Sequence, residues 1–580
     1  MDRNRSISAV ALALALAGCA SAPSEKTSPM SWEGDVRVTT HRDGDDLLTG
    51  GLGFAGLVSP TPPTGSDAAT LRKRALYANW RGIADLAGGT FANLANVPGR
   101  EYSAFARVPG ANAPHRVLAQ VPDAFDAKKR CLVVAPSSGS RGVYGAVAVA
   151  SQWALPRGCA VAFTDKGTGT GFVDLDAGDG VALDGTRVAL ASGTPVEFAP
   201  TTKAAQAHRV AIKHAHSGDN PEADWGRHVL QAARFGLHAL DEAFPEQAPF
   251  TAQNTRVIAF ALSNGAGAVL KAGEADDEGM FDAVVSVAPN IAAPGARSLF
   301  DVATEAALLQ PCALLAIPDA PALMPEAAWK GLATLRCASL KAAGLVDGAD
   351  PAAQAADALA RLKVGGWEDG ALSDAGLNLT FDLWRSIIAT YAQAYARAGV
   401  DAPVCGWQFA PVDAAGTARA STPEERATWW SDGTGIAPTA GIGIVDTLAD
   451  GVDRNVPALR CARALVDGSD DVARRVQAGV AEVRATARTR APFTLVVHGL
   501  DDGLVPVAFT SRPYVAAARA NGAKLAYWQV RRAQHFDAFL AVPAMRARYR
   551  ALLPHAYEAM DAVWAMLAEG GATPVDRTID

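Results

Sequence analysis

One short stretch constrains the fold of this chain more than any other. The run from Arg256 to Leu262 is apolar, as in a buried strand, and helical character resumes at Ala266. Ser263 lies between them, so the sequence predicts a strand–turn–helix with a serine at its tightest point. Such a turn needs small residues two positions before and after the serine, as Ala261 and Gly265 are. The pattern favours a nucleophilic serine, although a serine that merely caps the following helix has the same local sequence.

Two later residues supply a candidate acid and base. In the α/β-hydrolase arrangement the nucleophile, acid and base follow one another as Ser, Asp and His, each after a strand. Asp502 and His535 have this order and follow strand-like runs. An imidazole takes the proton of the serine hydroxyl, and a carboxylate orients the imidazole and stabilises its cation. The sequence therefore predicts Ser263, Asp502 and His535 as catalytic residues.

Neighbouring residues remain as alternatives for the acid and the base. Asp501 is adjacent to Asp502 and is the alternative acid. His498 opens the same loop, where we favour a hydrogen-bonding scaffold over the base. Asp537 is only two positions from His535, and a residue so close along the chain seldom reaches round to the ring.

A Gly/Ser-rich loop, residues 136–142, follows an early strand-like run. α/β-hydrolases place backbone N–H groups of the oxyanion hole in such a loop. A solvent-exposed turn has the same composition. We expect the oxyanion donors to be the N–H of Asn264 and one from this loop, at Ser138 or Gly139.

The wider pattern predicts an α/β fold. Strand-like and helix-like runs alternate up to about residue 290 and again after 490, which favours a mostly parallel sheet. The intervening part is rich in Ala and Leu, reads as helical, and predicts a large cap insertion. We divide the chain into a signal segment (1–19), a tether and N-terminal extension (20–55), a catalytic domain (56–290 and 490–580) and a lid or cap (291–489).

The first residues have the features of an export signal. Two arginines precede an apolar stretch over 9–17 that is too short to span a bilayer. Residues 16–19, Leu-Ala-Gly-Cys, resemble a bacterial lipobox, which predicts cleavage before Cys19 and lipid attachment to its thiol. An ordinary signal cleaved near 20–22 is the alternative. Either interpretation predicts an exported protein, periplasmic, extracellular or anchored at the outer membrane through that lipid.

The other six cysteines predict disulfides, because an even number in an exported chain is typical of them. Fifteen pairings are possible, and the nearest-neighbour set is favoured: Cys131–Cys159, Cys312–Cys337 and Cys405–Cys461.

The sequence predicts no metal, cofactor or nucleic-acid partner. Cysteines lack the CxxC spacing of zinc sites, and the His214-x-His216 pair lacks a third fixed ligand, so a structured loop lining the site is favoured. Glycines at 51, 53 and 56 have dinucleotide-binding spacing, but no strand leads in and prolines follow. A net charge of −7 without a basic block argues against nucleic acid.

Several stretches resemble the D-(−)-3-hydroxybutyrate oligomer hydrolases, exported serine esterases of poly(3-hydroxybutyrate) degradation: residues 45–57, 211–217, 220–226 and 262–265. The resemblance implies that Ser263 is the nucleophile and that dimers and trimers are cleaved to monomers. The chain is more distantly similar to tannases and feruloyl esterases. A different serine hydrolase, such as a tannase- or feruloyl-type esterase or an exported peptidase, and a non-catalytic surface lipoprotein are the alternative functions.

A hydroxybutyrate oligomer ends in one carboxylate, so an apolar pocket with one cationic or amide anchor would suffice. Arg141 and Lys166 lie on loops at strand ends and are candidate anchors. Surface salt bridges are the commoner fate of such residues.

Overall fold

The computed structural model describes residues 32–202, 207–318 and 323–580. The predicted signal segment, Cys19 and the first part of the predicted tether lie outside the described residues. The strands, in chain order, are β1 (Arg37–His41), β2 (Gly99–Ala106), β3 (His115–Pro122), β4 (Cys131–Pro136), β5 (Ala160–Thr164), β6 (Phe172–Asp174), β7 (Asp179–Val181), β8 (Arg187–Ala189), β9 (Val210–Ile212), β10 (Arg256–Leu262), β11 (Ala283–Val287), β12 (Trp407–Pro411), β13 (Ile442–Asp446), β14 (Thr494–Gly499), β15 (Leu525–Val530) and β16 (Arg577–Ile579).

Ten of these strands form one sheet in the order β1-β2-β3-β5-β4-β10-β11-β14-β15-β16. Neighbours from β5 to β16 run parallel, whereas β1, β2 and β3 add antiparallel pairs at one edge. The central strands are buried along almost their whole length and rich in Val, Ile, Leu and Ala, as strands covered on both faces are. The predicted mostly parallel sheet is therefore confirmed.

Helices cover both faces of the sheet. In chain order they are α1 (Gly53–Val58), α2 (Ala68–Ile83), α3 (Gln152–Ala154), α4 (Lys213–His216), α5 (Trp225–Ala243), α6 (Asn264–Ala275), α7 (Leu299–Ala313), α8 (Glu326–Ala342), α9 (Pro351–Val364), α10 (Asp369–Leu372), α11 (Ala375–Thr380), α12 (Leu383–Ala396), α13 (Pro423–Asp432), α14 (Val456–Ala464), α15 (Asp471–Glu482), α16 (Ser511–Ala520), α17 (Pro543–Arg548) and α18 (Leu553–Ala568).

Successive residues of β10 enter different cores. Ile258 and Phe260 pack with α2 and α18 on one face, and Val257 and Ala259 pack with α5 and α6 on the other. This alternation follows from the two-residue period of a strand. The sheet therefore lies between two helical layers. Because its central strands are parallel, the loops at their carboxyl ends meet at one edge of the sheet.

A third core lies in the region that connects β11 to β14. Helices α7, α8, α9, α12, α14 and α15 supply most of it, and the hairpin β12–β13 packs against them. Phe172 of β6 and Ile212 of β9 also enter this core, so the small sheet β8-β7-β6-β9 packs against it. The segment Leu299–Ala316 is apolar and long enough to cross a membrane by composition, but 67% of it is buried inside the protein.

Three disulfides join Cys131–Cys159, Cys312–Cys337 and Cys405–Cys461. The first lies within the large sheet, and the other two lie in the region between β11 and β14. The nearest-neighbour pairing is confirmed.

Both ends of the described chain differ from the sequence-based expectation. At the amino end, β1 already pairs with β2, and Leu47 and Leu48 are fully buried, although both fall in the predicted extension. At the carboxyl end, residues 540–567 read as one long helix in the sequence, but the structure divides this stretch into α17 and α18, and β16 follows. Pro554 lies in the first turn of α18, where a proline suits a helix start but cannot continue a preceding helix.

Candidate active site

Ser263 lies in a strained turn between β10 and α6. Its φ of 63° and ψ of −125° lie outside the regions that a side chain normally allows, and such strain is stored at functional sites. The turn is held because the Ser263 N–H donates to Val287 O at 2.9 Å, and its carbonyl accepts from Asn290 N at 3.1 Å. A Cβ at Gly265 would come within 2.5 Å of Pro136 O. The small residue predicted there is therefore a steric requirement.

The structure brings the three predicted catalytic residues together. His535 Nε2 lies 2.9 Å from Ser263 Oγ, and His535 Nδ1 lies 2.7 Å from Asp502 Oδ2. Ser263 follows β10, Asp502 follows β14 and His535 follows β15, all parallel strands whose carboxyl ends share one edge of the sheet. Because 272 positions separate the serine from the histidine, it is the order of the strands in the sheet that brings these side chains together.

Asp502 is held from four directions. Its Oδ1 accepts from the backbone N–H groups of Leu504 (2.9 Å) and Val505 (2.8 Å), and its Oδ2 faces His498 Nε2 (3.2 Å) as well as His535. Burial alone would raise the pKa of Asp502, but the interaction with His535 and the hydrogen bonds from both histidines lower it far below its ordinary value. The carboxylate is therefore ionised and fixed.

The alternative residues have other contacts. His498 Nδ1 bonds to Ser511 Oγ at 2.6 Å, so this ring braces Asp502 as a scaffold. Asp537 accepts from the backbone N–H groups of Leu552 and Leu553 at 2.8 and 2.7 Å. No hydrogen bond between the described side chains joins Asp501 to His535.

The backbone N–H groups of Asn264 and of the loop after β4 belong to residues that line the cavity beside Ser263, so they are the candidate oxyanion donors. Asn264 is the first residue of α6, so its N–H has no acceptor within the helix. In the loop after β4, the N–H of Ser138 donates to Gly145 O at 3.3 Å, whereas no hydrogen bond among the described residues occupies the N–H of Gly139. Of the two predicted loop donors, the structure thus leaves Gly139 available and corrects the expectation for Ser138.

Lys166 does not line the cavity that adjoins Ser263, which corrects its prediction as an anchor. Its side chain is fully buried beneath the loop after β4, where Nζ donates to Gly139 O at 2.7 Å and to Ser137 Oγ at 2.9 Å. Burial lowers the pKa of Lys166 to about 7. The ammonium group supports the backbone of the loop that carries the Gly139 N–H.

A cavity of about 210 Å³ adjoins Ser263 and His535. Its walls are mainly apolar. The apolar side chains come from the end of α2, the start of α18 and the region between β11 and β14: Ile83, Leu553, Leu299, Leu383, Ile387 and Ile436. Arg141 also lines it, with its guanidinium donating to Asn79 Oδ1 at 3.3 Å and to Gly82 O at 3.4 Å. A larger depression of about 1160 Å³ elsewhere on the molecule contains none of the predicted catalytic, oxyanion or anchor residues.

A buried polar network beneath the serine was not predicted. Asn264 Nδ2 donates to Tyr391 Oη of α12 at 2.7 Å, and Asn290 Nδ2 donates to Asn264 Oδ1 at 3.1 Å and to Glu222 Oε1 at 3.4 Å. Tyr395 of α12 donates to the other oxygen of Glu222. Asn290 follows a buried strand, a position that could have marked it, whereas nothing local marks Tyr391.

The two histidines of the His-x-His pair make separate contacts. His214 Nδ1 bonds to Ser140 Oγ at 2.8 Å and so braces the loop after β4. His216 Nδ1 accepts from Ile212 N at 3.1 Å, and its Nε2 lies 3.2 Å from Gln393 Oε1. Among the described residues, no group of His, Cys, Asp or Glu is arranged to hold a metal ion.

The parallel sheet, the serine at a strand–helix turn, and the acid and histidine on later loops of the same edge define an α/β-hydrolase fold. A family model described as 3HB-oligomer hydrolase matches residues 12–580, and the chain belongs to that family. It is 39% identical to the D-(−)-3-hydroxybutyrate oligomer hydrolase of Paracidovorax citrulli over 95% of this chain and 89% of the relative. The relative of the same name from Polaromonas naphthalenivorans is 36% identical over 99% and 92%. Membership makes the chain an ester hydrolase.

Two solved esterases are similar at low sequence identity. Feruloyl esterase B from Aspergillus oryzae has a TM-score of 0.36 and 12% identity, over 82% of this chain and 83% of that one. Tannin acyl hydrolase from Aspergillus niger also has a TM-score of 0.36 and 12% identity, over 83% and 80%.

Proposed function

We propose that this protein is an exported serine esterase that hydrolyses short oligomers of D-3-hydroxybutyrate to monomers. The observation that carries the proposal is the hydrogen-bonded chain Ser263–His535–Asp502 beside a small, mainly apolar cavity. The substrate class rests on family membership, because the curated relatives carry that name.

The proposed reaction passes through an acyl-enzyme. Ser263 Oγ attacks the ester carbonyl carbon as its proton moves to His535 Nε2, and the carbonyl oxygen becomes an oxyanion. The N–H groups of Asn264 and Gly139 stabilise this oxyanion, each contributing roughly 3–4 kcal/mol. The C–O bond then breaks, and the leaving alcohol takes the proton from His535. Water attacks the acyl-enzyme in the same way and releases the acid.

Export and lipid attachment belong to the same proposal. The lipobox-like residues 16–19 support attachment of a lipid to Cys19, outside the described residues. Three disulfides support an oxidising compartment, because such bonds are rare in reducing ones. Labelling cells with radioactive palmitate and following a Cys19→Ala variant tests the anchor. Loss of label in the variant supports it, and unlabelled wild-type protein in the medium contradicts it.

The test of the activity is to incubate the purified protein with the linear dimer and trimer and to quantify the monomer. We expect monomer from the wild type, none from Ser263→Ala, and the wild-type rate from Ser192→Ala, an exposed serine on the surface. An organophosphonate probe should label the wild type but not Ser263→Ala. Release of ferulate or gallate without release of monomer would instead favour a tannase-type or feruloyl-type esterase. Neither labelling nor turnover of any ester would favour a non-catalytic lipoprotein.

A further inference from the structure

We propose that Arg141 binds the free carboxylate of the oligomer, so that the enzyme cleaves the ester next to the carboxyl end and releases monomers from that end. This inference rests on the proposed function and adds to it the polarity of substrate binding. It assigns the terminal, carboxylate-bearing unit to the leaving-group side of the site.

Arg141 is a cation without a charged partner. Its guanidinium makes two long hydrogen bonds to neutral acceptors, Asn79 Oδ1 and Gly82 O, and no ion pair with it is present among the described residues. Burial lowers the pKa of Arg141 to about 10, with no carboxylate near enough to oppose the effect. A partly buried cation of this kind is costly unless an anion pairs with it, and arginine binds carboxylates through two parallel N–H donors.

In the described part of the chain, the cavity lining provides a single arginine that can bind a carboxylate. Among the described residues that line it, Arg141 is the only Lys or Arg. Asp537 also lines the cavity, and its two oxygens already accept hydrogen bonds from two backbone N–H groups. The remaining walls are mainly aliphatic and suit the methyl and methylene groups of the acyl part. Charge therefore fixes which end of the substrate lies at Arg141.

The size of the cavity then fixes which ester is cleaved. Its volume of about 210 Å³ is below the roughly 300–1,000 Å³ of pockets that hold drug-sized ligands, and Arg141 and Ser263 line the same cavity. Only a short piece of chain fits between them. With the carboxylate at Arg141, the first ester from that end lies at Ser263. Cleavage leaves the acyl part on Ser263 Oγ, and the terminal unit departs as an alcohol that takes its proton from His535.

An end-labelled substrate tests the polarity. In a linear trimer whose carboxyl-terminal unit carries deuterium, the first monomer released should carry the label, and the first dimer should not. Mass spectrometry during the first tenth of the reaction distinguishes these products. Unlabelled monomer released first, or both monomers released at equal rates, would overturn the inference.

A substitution tests the role of Arg141. We expect the wild type to prefer the free-acid dimer over its carboxamide, a neutral substrate with the same single ester. In Arg141→Met, the ratio of kcat/KM for acid over amide should fall about 10- to 100-fold, mainly through KM, and Arg141→Lys should restore part of it. A ratio does not depend on the fraction of folded enzyme. Arg157→Met, at an exposed arginine paired with Asp561, is the matched control.

The two proposals fail in different ways. An unchanged ratio in Arg141→Met, with monomer still produced, would overturn the role of Arg141 and leave the esterase intact. Absence of hydrolysis of both dimers and of p-nitrophenyl butyrate by the wild type would instead overturn the proposed function.

Discussion

At the scale of single residues, Asp502 decides the tautomer of His535. Asparagine at this position keeps an oxygen for the N–H groups of Leu504 and Val505 but presents an N–H₂ group to His535 Nδ1. His535 must then carry its proton on Nε2, where it cannot accept the proton of Ser263. We expect Asp502→Asn to lower kcat on the dimer about 10³- to 10⁴-fold with little change in the melting temperature.

Asp501→Asn is the matched control for Asp502→Asn, since the two aspartates are adjacent and only Asp502 contacts His535. It should retain activity within a few-fold. The opposite result, with Asp501→Asn inactive and Asp502→Asn active, would contradict the assignment of the acid.

Lys166 gives a second test at a single residue. Its Nζ donates to Gly139 O and Ser137 Oγ, so Lys166→Met removes both hydrogen bonds while keeping much of the buried volume. The loop that carries the Gly139 N–H should lose its fixed position, and we expect kcat to fall about 10-fold or more with KM nearly unchanged. Steady-state kinetics on the dimer measure both constants.

Lys363→Met, at an exposed lysine paired with Asp369, should leave both constants unchanged. A rise in KM at constant kcat in Lys166→Met would instead return Lys166 to the role of substrate anchor.

The sequence predicts residues of this site where a pattern along the chain marks them. The small neighbours of Ser263 are needed for the turn itself, so they can be read locally. The acid and the base are marked by their order along the chain and by the strands that precede them. The sequence does not reveal the role of Lys166, because the direction of its side chain depends on how two loops pack. Tyr391 lies in a helix with no motif around it, so nothing in the sequence links it to its partner Asn264, 127 positions away.

At the scale of elements, the buried strands are those that the sequence predicts. β4, β10, β11 and β14 are continuous apolar runs, which have an unambiguous pattern. The edge strand β1 is mostly exposed and polar, and β16 has three residues, so neither has a hydrophobic signature. The first turn of α18 shows a similar dependence on context, because its N–H groups are satisfied by Asp537, a residue outside the helix.

The carboxyl group of Asp537, which accepts hydrogen bonds at the start of α18, leads to a prediction about how stability depends on pH. Burial raises the pKa of Asp537 from 3.8 to about 7, although the N–H groups of Leu552 and Leu553 act in the opposite direction. Between about pH 4 and 7 the folded state keeps a proton that the unfolded chain has lost. The contribution of Asp537 to the free energy of unfolding therefore falls as pH rises through this window and is constant above about pH 7.

Asp537→Asn cannot titrate and should remove this dependence. The free energy of unfolding of the variant relative to wild type should thus increase from pH 4.5 to pH 7.5, by an amount on the order of a few kcal/mol. Denaturant titrations at the two pH values measure it, with Asp471→Asn, at an exposed aspartate, as the control. A difference between variant and wild type that stays constant with pH would contradict the raised pKa.

At the scale of the whole molecule, the site lies where two regions with separate hydrophobic cores meet. The sheet and its two helical layers supply Ser263, Asp502 and His535, and the region between β11 and β14 supplies Leu383, Ile387 and Tyr391. Tyr391 and Tyr395 of α12 also bond to the network beneath Ser263. The second region is therefore part of the walls of the site, and its stability affects both the cavity and the network.

The disulfide Cys405–Cys461 stabilises this second region, where it closes the longest of the three disulfide loops, with 56 positions between the cysteines. Loop-closure entropy predicts that the double substitution Cys405→Ala and Cys461→Ala lowers the free energy of unfolding by about 4 kcal/mol. Because the large sheet has its own cores and its own disulfide, we expect the loss to be local. Hydrogen exchange should accelerate in α12, α14 and β12 and stay unchanged in β10 and β14.

The matched control for this double substitution is the pair Cys131→Ala and Cys159→Ala, which removes a bond within the sheet. It should accelerate exchange in β4 and β5 instead. Uniform acceleration through all strands and helices in both variants would mean that the molecule unfolds as one cooperative unit. In that case the cavity walls that come from the region between β11 and β14 would have no stability of their own, and weakening either region would remove activity at the same denaturant concentration. If the two regions instead unfold in separate transitions, the region between β11 and β14 can unfold first. The cavity then loses the walls that this region supplies, while Ser263, His535 and Asp502 remain in place.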